Sequence, residues 1–271
     1  MQKAKSSGTA QKMIVKGKAK EPFFFTFSRR HPSLQVMAKR GSENVLFVTC
    51  ATPGSRLSLK IALEPQASLA VVFVWKGKKS TKISQHIAVA TGAQLHLLNV
   101  THGSCIHDTV SEVKGVGGES SIDWIIHGRG TMKCLLSARN IFSAKDGRGD
   151  VTMRGVAEEK ATITCNGSVE IGPKASGTQA HLTEKILILD PTARADAIPS
   201  LDVGTHDVQA SHSAAISRIH PEDLFYFASR GIMAKKARKL FIDGFLGDLL
   251  GNIHNASLRT HLSQFWEKEG R

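Results

Sequence analysis

Leu57-Ser-Leu-Lys-Ile-Ala-Leu63 alternates an apolar side chain with a small or charged one at every step. Successive side chains of a strand point to opposite faces, so Leu57, Leu59, Ile61 and Leu63 fall on one side and Ser58, Lys60 and Ala62 on the other. The same alternation runs through Ile83-Ser-Gln-His-Ile-Ala-Val89, Ala93-Gln-Leu-His-Leu97, Ser121-Ile-Asp-Trp-Ile125, Met132-Lys-Cys-Leu-Leu136 and Ala161-Thr-Ile-Thr-Cys165. Glycine-containing turns separate these runs about every ten residues. From about residue 44 to 216 almost no stretch keeps apolar residues at helical spacing. β structure sustained over that length makes a large sandwich, a barrel or a β-solenoid. Regular strand-to-turn spacing, frequent Gly, Ala, Ser and Thr, and few prolines suit a solenoid; the lack of a tight repeat consensus leaves a sandwich equally open.

With 22% charged and 41% hydrophobic residues, wholesale disorder of the 271-residue chain is excluded. Lys and Arg outnumber Asp and Glu 36 to 23, a net charge of +13 that raises nucleic acid as a partner. Six of these cations (Lys3, Lys5, Lys12, Lys16, Lys18 and Lys20) lie in the first twenty residues, where there is no acid. Residues 1–21 therefore read as a basic flexible tail, too poor in large apolar groups to offset ordering entropy. The excess over the remainder is modest, and at 6% aromatic residues the stacking surfaces of a single-strand binder are scarce. A basic nucleic-acid-associated β-protein stays as the alternative function.

The four cysteines, Cys50, Cys105, Cys134 and Cys165, form no CxxC pair, which argues against a zinc ribbon. No apolar signal segment opens the chain, so a reduced, cytoplasmic protein is expected. The longest apolar run, Leu69–Trp75, has the length of a buried strand and falls far short of the roughly eighteen residues of a membrane span. There is no GxxxxGK[ST] phosphate loop, and Gly115-Val-Gly-Gly118 precedes no helix and reads as a turn. His86, His96, His102, His107 and His127 are scattered without an HxH-plus-glutamate pattern, which leaves a β-helix or cupin metalloenzyme as a remote reading. In Ser211-His212-Ser213 the hydroxyls and the imidazole sit on opposite faces of a strand, so they form no nucleophile pair. No catalytic constellation emerges, and the chain is read as a non-enzyme.

At His220 the period changes. Pro221 with Glu222 and Asp223 suits a first helical turn; Leu224, Phe225, Phe227 and Ala228 form an apolar face, and Gly231 supplies a stop. A second helix is expected from about Ala234 to Leu250, with Ala237, Leu240, Phe241, Phe245, Leu249 and Leu250 on one side, and a third from Ala256 to Lys268. Three short helices cannot bury this aromatic surface alone, so they should pack on the end of the β-domain, on a partner, or both. The organisation expected is a tail (1–21), a β core (22–216) and a C-terminal helical domain (217–271).

The segment Ser176-Gly-Thr-Gln-Ala-His-Leu-Thr-Glu-Lys-Ile-Leu-Ile-Leu-Asp190, followed by Ala193-Arg-Ala-Asp-Ala-Ile-Pro-Ser-Leu-Asp-Val203, Asp207-Val-Gln-Ala-Ser-His-Ser-Ala-Ala-Ile216, Asp223-Leu-Phe-Tyr-Phe-Ala-Ser-Arg-Gly-Ile232 and Ala237-Arg-Lys-Leu-Phe-Ile-Asp-Gly-Phe-Leu246, resembles the core of the SufB/SufD family. These are the scaffold proteins of the SUF iron–sulfur cluster assembly system. The resemblance implies a right-handed parallel β-helix and a helical C-terminal domain that docks the ABC-type ATPase SufC. It also implies a dimer paired through the last β-helix strands, with either a SufB-like or an identical subunit. In that family a transient cluster is thought to form at the paired interface, using a cysteine and an acid from SufB and a histidine from SufD. No intrinsic cofactor follows.

Carried onto this sequence, His212 matches the family histidine and becomes the candidate iron ligand. Glu184 occupies the SufB cysteine position, Ser213 the acid that follows the SufB histidine, and Ala210 the cysteine two residues before the SufD histidine. The chain is thus closer to SufD, and it is read as lacking the family's long N-terminal extension. Cys134 and Cys165 are candidates for handling sulfur at the interface. Leu224, Phe225, Tyr226, Arg230, Gly231 and Phe245 are the candidate docking residues, with Arg230 as the charged anchor.

Overall fold

The computed structural model describes residues 5–7, 10–50 and 56–251. In chain order the strands are β1 (Lys5–Ser7), β2 (Ala10–Val15), β3 (Phe23–Phe27), β4 (Ser33–Ala38), β5 (Glu43–Cys50), β6 (Arg56–Leu63), β7 (Ser68–Val89), β8 (Gln94–Val113), β9 (Glu119–Gly128), β10 (Lys133–Phe142), β11 (Arg148–Ala157), β12 (Thr162–Ile171), β13 (Thr178–Ile188), β14 (Arg194–Ala197), β15 (Ser200–Val203) and β16 (Val208–Arg218). Two helices follow, α1 (Pro221–Ser229) and α2 (Ala234–Gly251).

All strand pairs but β1–β2 are parallel, and they stack into two ladders. The first runs β2, β4, β6, the second half of β7, the second half of β8, β10, β12 and then β14 and β15. The second runs β3, β5, the first halves of β7 and β8, β9, β11, β13 and β16. Each coil gives one strand to each ladder, and β7 and β8 bend between Gly77 and Thr81 and between Gly103 and Cys105 to serve both. Of the three architectures left open by alternation, the chain adopts the parallel β-solenoid, with about eight turns.

Alternation sets what lies inside. Leu57, Leu59, Ile61 and Leu63 are all buried, while Lys60 and Ala62 face out. The two ladders close on Phe27, Phe73, Trp75, Trp124 and Phe142, and each such burial contributes about 1.5–3 kcal/mol. Polar side chains also face inward. Gln85 of the first ladder donates to Asn99 Oδ1 of the second at 2.9 Å, and Thr109 donates to Gln85 Oε1 at 2.8 Å. His107 stands edge-on to Phe73 and Trp124, with ring centroids 5.3 and 4.5 Å away. Its complete burial holds the imidazole neutral, with its pKa pushed down to about 3.

Within the segment read as a flexible tail, Ala10–Val15 forms β2 and pairs with β4. Met13 and Val15 alternate with Lys12 and Ile14, so the two inward positions join the core while the lysine stays in water.

α2 lies against the side of the solenoid and α1 packs on α2. Leu246 of α2 is buried on the outer face of the second ladder, in a cluster with Phe47, Val72, Leu98, Ile125 and Val156. Phe241, Ile242 and Phe245 pack around that cluster. Arg238 pairs with Asp190 at 2.9 Å and Arg154 donates to the Phe245 carbonyl at 3.2 Å, so charged groups frame the apolar contact. In α1 the Asp223 carboxylate accepts the His220 N–H at 2.9 Å, and Gly231 ends the helix at φ 75°. The third helix expected, Ala256–Lys268, lies outside the described residues.

Candidate functional site

β13 and β16 form the last rung of the second ladder. Along β13, Ala180, Leu182, Glu184, Ile186 and Ile188 point inward and are buried. Parallel in-register pairing gives aligned residues the same facing, so His212, opposite Leu182, and Ala214, opposite Glu184, stand on the inward side of β16. β16 pairs with β13 alone among the described strands, and nearly all of it is exposed. His212 therefore sits at the open end of the solenoid, one rung beyond Glu184 and two residues before its level.

Glu184 reaches from β13 across the interior to the first ladder. Its Oε1 accepts the Gly167 N–H at 2.6 Å, while its Oε2 has no hydrogen-bond partner among the described residues. A Cβ on residue 167 would stand 2.4 Å from Leu182 Cδ1 and 2.8 Å from Glu184 Oε1, so a larger residue there would push on this crossing. Burial pushes the carboxyl up to about 7, against the opposing pull of the Gly167 and Ile198 amides. The carboxyl thus titrates near neutral pH, where a solvated one would be fully ionised.

Cys165 of β12 faces inward, aligned with Leu136 and Ala197. Burial raises its thiol well above the ordinary range, and the Glu184 charge adds to this, so it is a poor nucleophile as it stands. Cys134 lies deeper. It is aligned with Ile163 on one side and with Cys105 on the other, so the structure pairs it with a cysteine that sequence reasoning had not singled out. The signal was their separation of twenty-nine positions, the local length of one coil.

The expected docking residues divide by burial. Phe225 and Tyr226 are 74% and 58% exposed, and Arg230 stacks its guanidinium 5.6 Å above the Tyr226 ring. Gly231 is exposed and Leu224 half-buried. Phe245 turns instead toward the solenoid, and Phe227 packs on Phe241 with centroids 5.3 Å apart. Met233, beyond the turn, is 76% exposed and extends the apolar surface of α1. Among the described residues no cluster of three or more His, Cys, Asp or Glu side chains is placed to hold a metal ion, and no helix is long and apolar enough to cross a membrane.

Residues 25–245, from β3 into α2, match the family described as SUF system FeS cluster assembly, SufBD core domain. The chain belongs to the SufBD core family. It is 29% identical over 167 residues to the iron–sulfur cluster assembly protein SufD of Bacillus subtilis, covering 62% of this chain and 38% of that protein. Iron–sulfur cluster assembly SufBD family proteins of Mycobacterium leprae and Pyrococcus horikoshii are each 26% identical, over 249 and 259 residues, or 87% and 89% of this chain. This SufBD core chain spans 64% and 58% of their lengths, less than two thirds of each relative.

Proposed function

We propose that the chain is a SufD-like scaffold subunit of a SUF-type iron–sulfur cluster assembly complex, with no catalytic turnover of its own. It pairs through β16 with a SufB-like or identical subunit and binds a SufC-like ABC ATPase through α1 and the adjoining part of α2. A transient cluster is built at the paired ends, with His212 as the iron ligand this chain offers and Glu184 behind it. What supports this most directly is β16, an eleven-residue strand with an open edge. Natural sheets rarely leave so long an edge unprotected unless another chain covers it. The exposed Phe225, Tyr226 and Met233 around Arg230 have the aromatic-plus-arginine composition of an interface hot spot.

Co-expression of the full chain with a SufC-like ATPase tests the docking. The ATPase is expected to co-purify, and Phe225→Ser or Arg230→Ala to weaken binding at least about tenfold without unfolding the chain, since both side chains are exposed. Absence of co-purification would sink the docking claim. In a reconstituted complex, His212→Ala is expected to abolish cluster assembly while ATPase capture stays intact; unchanged assembly would remove His212 from the ligand set.

A further inference from the structure

Cys105 and Cys134 occupy directly aligned positions on neighbouring parallel strands, both facing the interior and both buried. Adjacent strands lie about 4.8 Å apart, within the roughly 4.4–6.8 Å of Cα separation that a disulfide spans. Cys134 Sγ donates to the Gly103 carbonyl at 3.3 Å, at the residue two before Cys105. We infer that Cys105 and Cys134 form a redox-active dithiol, which a small peroxide converts to a disulfide that staples two successive coils of the solenoid.

The pair is chemically unequal. The neighbouring Cys105 thiol lowers the Cys134 thiol, and the same proximity, with burial, raises Cys105. Cys134 is therefore the group that gives up its proton first and attacks. Its thiolate takes one peroxide oxygen as the O–O bond breaks, forming a sulfenic acid, and the other oxygen leaves as water after gaining a proton. The Cys105 sulfur, losing its proton, then attacks Cys134 sulfur; the S–S bond forms, the S–O bond breaks and a second water leaves. Two thiols have lost two electrons to one peroxide.

Cys165 has Leu136 and Ala197 as its rung neighbours, and Cys50 of β5 aligns with Phe27. Position also favours entry at Cys134, the second residue of its strand. It lies behind the exposed Lys133, whose N–H donates to Ser104 Oγ at 3.1 Å where β8 turns between the ladders. Aligned cysteines of parallel strands point the same way rather than toward each other, so the bridge is strained and is expected to reopen with a mild thiol, as labile disulfides do. The inference is independent of the scaffold role.

The test treats the reduced, folded full chain with hydrogen peroxide and then alkylates it under denaturing conditions. Two of the four cysteines should escape alkylation, and the peptide map should link Cys105 to Cys134. Cys105→Ser should stop Cys134 at a dimedone-reactive sulfenic acid. Cys134→Ser should slow thiol loss at least about tenfold. Cys165→Ser should leave the bridge unaffected. Four free thiols after treatment, a bridge that involves Cys50 or Cys165, or oxidation that proceeds only in denaturant would each overturn the inference. The map of the unsubstituted chain decides this even if a serine variant fails to fold.

Discussion

Replacing Gly149 with alanine is expected to destabilise the chain by about 3 kcal/mol or more, enough to remove much of a domain's margin. Gly149, the second residue of β11, has φ 151°, a conformation other residues rarely adopt, and faces Ser120 on the neighbouring coil. An added Cβ would stand 1.8 Å from the Ser120 carbonyl oxygen and 2.5 Å from its carbon. Ser120 cannot retreat cheaply. Its carbonyl accepts the buried Asn140 amide at 2.7 Å, and its hydroxyl is bonded to that of Ser111 at 2.7 Å. Moving it would leave further buried polar groups unpaired, and Asn140 Oδ1 already has no partner among the described residues. Gly117 is the control: it has φ 63° but open space around its missing Cβ, so Gly117→Ala should lose only about 1 kcal/mol of backbone strain. Urea unfolding of both variants separates the two causes. Equal losses would mean that close approach of the coils contributes nothing beyond dihedral strain.

Gly149 also illustrates what was readable in the sequence and what was not. Strand after strand was legible because Leu57-Ser-Leu-Lys-Ile-Ala-Leu63 and its successors alternate cleanly, and α1 because Pro221 and Gly231 mark its ends. The choice of solenoid over sandwich came from the family resemblance and not from the alternation, since the period drifts: Leu34 aligns with Leu59 twenty-five positions on, Leu136 with Cys165 twenty-nine on, and Leu182 with His212 thirty on. Inward positions ask only for something that fits, and they accept Gln85, Asn99 and His107 as readily as leucine, so no consensus accumulates. β2 was hidden for another reason. Its lysine marked the segment as solvated, although in a strand every second residue can be charged while the others are buried. At the site, His212 and Glu184 came from resemblance to a family, whereas the Cys105–Cys134 alignment needed the local coil length. The fate of Phe245 needed the structure, because α2 carries apolar side chains both against the solenoid and, at Leu240, toward water.

Glu184→Gln should raise stability more near pH 8 than near pH 5, by about 2 kcal/mol, and the sign follows from proton linkage. The folded chain holds this carboxyl at about 7, against an ordinary 4.5. Between those values the folded state keeps the proton and the unfolded state has lost it, so stability falls as pH rises through the window, and the full penalty is present above it. The shift alone corresponds to about 3 kcal/mol, of which about 2 falls between pH 5 and pH 8 because part of the window lies below pH 5. Glutamine keeps an oxygen to accept the Gly167 N–H and never ionises, so it escapes the penalty while preserving the crossing. His107 acts in the opposite sense. Its folded value of about 3, against 6.5, makes stability rise with pH across that interval, so the slopes of the two groups offset where their windows overlap. The profile of the unsubstituted chain therefore conceals both, and only the difference between Glu184→Gln and the parent isolates the carboxyl. Urea midpoints at the two pH values supply it. A gain equal at both would mean that glutamine merely packs better; no gain at pH 8 would mean that the ionised carboxylate is solvated at the open end, and that its burial costs the fold nothing.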